Sequence, residues 1–134
     1  MQVQNEEKML NKGLRDQEKI RIDNVLKTLH SLVFVPKWND DDDFSAIDEQ
    51  LKEFGLSIER TIELSEHELN LLLQRAHLDW EQQELFADIL VEMSQKDHFH
   101  FLEKAIAIYN YIQQESKMFS FGINNKLAVA KAKL

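Results

Sequence analysis

HFHFLEKAIAIYNYI, residues 98–112, decides between a sheet and a helical protein. Its KAIAIYNYI portion alternates for nine residues, as a strand would. A helix accounts for more of it. Phe99, Leu102, Ile106 and Tyr109 form one stripe at helical spacing, and Phe101, Ala105, Ile108 and Ile112 form a second beside it. The pattern runs for about four turns, and Leu102, Glu103, Lys104 and Ala105 are good helix formers. A helix apolar on two faces should lie between neighbours. The same choice bears on the histidines. On a strand His98 and His100 would share a face and could share a metal, whereas on a helix they diverge by about 200 degrees. Asp97 and His100 stand three apart, as in the carboxylate–histidine pairs of di-iron bundles, but no other Asp or Glu precedes a histidine by three. The sequence therefore predicts no metal and no cofactor, with His98 and His100 as the runner-up ligands.

Helical periodicity continues in both directions, with only three glycines and one proline to interrupt it. The spacing predicts a first helix from near Asn5 to near Val33, with Ile22, Val25, Leu26, Leu29, Leu32 and Val33 as a dense stripe. Its first half is thinner, anchored by Leu10, Leu14 and Ile20 and interrupted by Gly13, so residues 1–20 should fray or pair with a second copy. Pro36 ends this helix by forcing Val35 toward extended backbone. Residues 36–43 are expected to be an acidic connector. Its NDDDDF run fails as a calcium loop, because no frame puts acidic ligands at positions 1, 3 and 5 together with glycine at 6 and glutamate at 12. Its last carboxylates suit the start of a second helix carrying Phe44, Ile47, Leu51 and Phe54, which Gly55 closes in a left-handed conformation.

SIERTIE, residues 57–63, reads either as connector or as an extra turn. Ser65 and Glu68 form a capping box, with Leu64 placed against Leu69, so a third helix runs from Ser65 to near Ala76. Asp79 and Gln82 repeat the box more weakly and open a fourth helix that ends near Lys96. Ile123, Leu127, Ala130 and Leu134 give a terminal helix its apolar face. The fold class is all-α, five to six helices in one domain over residues 1–134, arranged as antiparallel hairpins in a bundle or a short array.

Two consecutive segments, FADILVEM and LEKAIAIYNYI, resemble one tetratricopeptide unit spanning about residues 83–112. Phe86, Ile89 and Met93 stand at its first helix's aromatic, leucine and tyrosine positions, and Ala105, Tyr109 and Ile112 at the second helix's alanine, aromatic and small positions. Leu90 replaces a small residue, the turn QKDHFHF is about three residues too long, and no proline closes the unit. The resemblance implies a protein- or peptide-binding scaffold whose last helix shields the final hairpin. The chain also resembles small bacterial all-helical proteins, a likeness that implies no activity.

Composition narrows the function classes. There is no cysteine, which removes disulfides, thiolate nucleophiles and sulfur-ligated zinc and fits a reducing, cytoplasmic setting. MQVQNEEKMLNKG has no signal-peptide run, and no stretch approaches the roughly 18 apolar residues of a membrane span. A net charge of -8 repels nucleic acid and anionic membranes. No GxGxxG, P-loop, HExxH or GxSxG motif is present. The expected function is a protein–protein interaction or regulatory module without catalysis of its own, using exposed aromatics for which Trp38, Tyr111 and Phe121 are the candidates. The alternatives are an enzyme or sensor with a pocket between helices, and a structural homodimer paired through the N-terminal helix.

Overall fold

A computed structural model describes residues 2–38, 40–96 and 99–134, with side chains except at 2–12, 40 and 41. Seven helices and no strand are present among the described residues: α1 (Gln2–Val33), α2 (Asp40–Lys52), α3 (Ile58–Glu63), α4 (Glu66–Arg75), α5 (Trp80–Lys96), α6 (Leu102–Ser116) and α7 (Phe121–Ala132). The expected five to six become seven because SIERTIE folds as α3. Ser57 caps it by accepting from the Arg60 amide, Ile58 and Thr61 are buried, and Asp48 of α2 accepts from the Ile58 amide at 2.7 Å. That last bond comes from ten residues upstream, so local spacing alone does not reveal the helix. A second difference concerns the acidic connector. α2 begins at Asp40, so Asp40–Asp43 form its first turn, where the dipole favours negative charge.

The ends of the helices follow the chemistry read from the sequence. Ser65 and Glu68 bond reciprocally at the start of α4. Asp79 and Gln82 do the same at the start of α5, at 2.8 and 2.9 Å. Gly55, at φ 75, closes α2, with the Leu56 and Gly55 amides returning to the Leu51 and Lys52 carbonyls. His77 makes the same turn after α4 at φ 66, although it carries a Cβ.

Helix directions follow from paired residues. Ser94 accepts from the Phe101 amide while Tyr109 donates to Asp88, so α5 and α6 run antiparallel. Gln113 reaches Asn124, which sets α6 against α7. α1 packs on α2, and Arg21 reaches Glu53 just past the end of α2. α6 packs on α4, α5 and α7, as its two apolar stripes require. Its Phe101, Ala105, Ile108, Tyr109 and Ile112 are buried, while Leu102 and Ile106 are half-buried. Phe99 and His100 precede the helix instead of belonging to it.

The core is one contiguous cluster from Ile22 to Leu127. It takes Ile22, Val25, Leu26, Leu29 and Val33 from α1 but no residue between Gly13 and Arg21. No described helix is long and apolar enough to cross a membrane. Two substitutions test this account by urea denaturation. Leu26→Ala, at a fully buried position, should cost about 2–5 kcal/mol. His77→Gly should add about 0.5–1 kcal/mol, because glycine removes the left-handed strain at the end of α4.

Candidate partner-binding surface

The three aromatics expected at a binding surface have separate surroundings. Trp38 is half-buried, with ring contacts to Phe44 at 5.4 Å and Phe99 at 6.2 Å, and its indole Nε1 donates to the Val33 carbonyl at the end of α1. It therefore joins the α1–α2 connection to the segment before α6. Tyr111 is partly covered beside Trp80, with ring centroids 6.0 Å apart. Burial and the Glu115 charge raise its phenol above the ordinary value. Phe121 is 82% exposed.

Phe121 belongs to a corner that sequence spacing did not single out as a unit. α6 ends at Ser116, and Lys117 takes a left-handed conformation at φ 57. Ser120 then caps α7 by accepting from the Ile123 amide at 3.2 Å. Gln113 braces the turn from below by donating to the Ser120 carbonyl and to Asn124 Oδ1. Hydrogen bonds thus hold the Ser120 end of the corner. Its apolar side chains point out: Met118 is 69% and Phe119 67% exposed, and the Phe119 and Phe121 rings meet edge to face at 4.7 Å. The legible signal was MFSF itself, four residues with three large apolar side chains between two helices.

The far side of α7 is anchored. Ile123, Leu127 and Ala130 are buried as their spacing predicts, while Leu134 is exposed. Lys126 reaches across to two carboxylates of α5, Glu84 at 2.5 Å and Asp88 at 2.9 Å, and Tyr109 of α6 donates to the other oxygen of Asp88. One lysine, two acids and one phenol therefore tie three helices together. Burial alone would pull the Lys126 ammonium down, but its hydrogen bonds to Glu84 and Asp88 outweigh it and hold the group above its ordinary value of 10.5. Burial, then the Asp88 bond and the neighbouring negative charges, push the Tyr109 phenol far above its ordinary 10.0.

Beside this tie lies an open cleft of about 380 Å³, lined among others by His30, Phe34, Asp88, Tyr109, Lys126 and Val129. Its Asp88, Lys126 and Glu92 are already in ion pairs, and His30 stacks on Phe34 at 4.0 Å. Asp88 pairs there with Lys126, and Glu92 with Lys96 of its own helix. A larger groove of about 570 Å³ holds His100, Glu103 and Lys133. His100 is exposed, and Asp97 and His98 lie outside the described residues. No three His, Asp or Glu side chains are grouped to hold a metal among the described residues. No protein-family model, curated protein or solved structure matches the chain.

The tie should be visible in two experiments. Lys126→Met leaves Glu84 and Asp88 without their cation and should cost about 1–3 kcal/mol in urea denaturation. Both Lys126 and Tyr109 bind their protons more tightly in the folded protein. Their contribution is complete below pH 10.0 and is lost as the pH rises from the unfolded values toward the folded ones. Stability measured across this alkaline range should fall, and fall less steeply in Tyr109→Phe.

Proposed function

We propose that the protein is a helical interaction module without catalysis of its own, and that it binds a protein partner through the α6–α7 corner. The observation that carries this reading is the exposure of Phe121 together with Met118 and Phe119 on a turn that Ser120 caps and Gln113 braces. Water penalises such a group of large apolar side chains, whereas a partner gains most from aromatic anchors that are already held in place. The tetratricopeptide-like hairpin of α5 and α6 supports the same reading, because scaffolds of that kind present helix faces to peptides. Trp38 and Tyr111 contribute to this module by packing, Trp38 in the connection between α1 and α2 and Tyr111 against Trp80.

A second reading, a homodimer through the N-terminal half of α1, is favoured by one further observation. Leu14 is 63% and Ile20 59% exposed on a stretch that adds nothing to the core. A lone helix of this length is marginal in water, and pairing with a second copy would cover those side chains.

Two experiments separate the readings. Affinity capture of the tagged chain from its native cell should retain a protein partner that the Phe119→Ser/Phe121→Ser variant loses, while the variant's urea stability stays within about 0.5 kcal/mol of the parent. An unchanged set of captured proteins would remove the corner from the function. For the dimer, sedimentation should show a Leu14→Asp/Ile20→Asp variant as monomer where the parent is dimeric; equal masses would remove that reading.

A further inference from the structure

The chemistry of the partner can be read from how charge is distributed around the corner. Residues 117–134 contain Lys117, Lys126, Lys131 and Lys133 and no acidic residue, so all 24 acidic residues stand in the preceding 116 against only 12 basic ones. A protein of net charge -8 thus carries a segment of +4 at one end of its fold. Lys126 is spent on Glu84 and Asp88, but Lys117, Lys131 and Lys133 are exposed. Lys133 shares a groove with Glu103 and a cleft with Asp88 and Glu92.

The helical geometry of α7 orders these groups. Its buried residues, Ile123, Leu127 and Ala130, define the inward face. At about 100 degrees per residue the outward ridge is Phe121, Asn125, Ala128 and Ala132, at spacings of four, three and four. All four are exposed. Lys131 lies on one flank of the ridge and Lys133 on the other. The aromatic end at Phe119 and Phe121 is followed by two alanines, which let another helix or extended segment approach closely. The ridge is about 17 Å long, apolar except for Asn125, and bordered by cations.

Resting on the reading of the corner as a docking surface, we infer that its occupant is an acidic peptide segment of a partner protein. One or two large apolar side chains of the segment seat on Met118, Phe119 and Phe121, and its carboxylates lie toward Lys131 and Lys133. The range of the fields selects a short segment over an extended anionic surface. Screening confines the attraction to about 8 Å at physiological ionic strength, so a peptide on the ridge experiences mainly the lysines beside it. A membrane or a nucleic acid covers far more of the molecule and meets the acidic remainder, which carries -12.

The test uses random peptides of about 16 residues, enough to run the length of the ridge, displayed on phage and selected on the full chain at low salt. Selected sequences are then synthesised and measured by fluorescence anisotropy, with circular dichroism confirming that each variant keeps its helicity. The selected peptides should be net negative with large apolar residues, and their affinity should fall about tenfold in Phe119→Ser/Phe121→Ser and about tenfold in Lys131→Glu/Lys133→Glu. Added salt should weaken them as well. Binding that needs the phenylalanines but ignores the lysines and salt overturns the acidic partner while the docking surface stands. Binding indifferent to both pairs overturns surface and partner together, and failure to enrich any peptide overturns the inference. Co-sedimentation with phosphatidylcholine vesicles only when phosphatidylserine is present, lost in the same variants, would replace the peptide by a lipid surface.

Discussion

The hydrogen bond from a side chain to an unpaired backbone group at a helix end is the interaction on which this fold depends. The seven helices of the described residues have to start and stop in a chain with three glycines and one proline, so side chains must supply what those residues usually supply. Ser57, Ser65, Asp79 and Ser120 satisfy the amides at four helix starts. Trp38 satisfies a carbonyl at the end of α1 with its indole. His77 and Lys117 accept left-handed backbone without being glycine. Gln82 shows how such a bond extends into tertiary structure. It completes the box at the start of α5, and its amide nitrogen, buried with it, donates to the Lys19 carbonyl and to Asp23 on α1. A cap therefore also sets where two helices meet.

The same economy governs the candidate site. Lys126 takes the place of a larger apolar interface, since α7 packs mainly on α6 and touches α5 through the ion pairs. A partly buried pair of this kind specifies register more than it adds net stability, because removing its ions from water offsets much of their attraction. With α7 held at a defined rotation, the outward direction of Phe121 is defined too. Anchoring on one face is what makes the other face a surface of fixed shape.

Much of the fold was legible because periodicity and caps are local. The helical stripes hold from Leu102 to Ile112, although Phe99 and Phe101 precede α6, and the Ser65–Glu68 and Asp79–Gln82 boxes and the left-handed Gly55 stand in the structure as their spacing implied. What was not legible came from distant neighbours. α3 depends on Asp48 reaching Ile58, and Trp38 is covered because Phe44 and Phe99 arrive from other parts of the chain. Periodicity shows that a position is apolar, not which neighbours will cover it. Phe121 had the same apolar character as Trp38 in the sequence, yet nothing arrives to cover it. The Lys126 tie left one unused sign. Glu84 and Asp88 stand four apart on one helix, where like charges repel by a few tenths of a kcal/mol unless a cation lies between them.

α7 is packed on one side only, and this has a thermodynamic consequence. A helix held by one apolar face, one lysine and one amide hydrogen bond to its neighbour is among the parts of a domain that open locally at low free energy. Whatever occupies its ridge binds the docked helix and not the opened one, so occupancy shifts that local equilibrium by mass action. A ligand on the ridge, if the proposed site is occupied, and the protons on Lys126 would then be linked variables, each acting on the other through the docked fraction of α7.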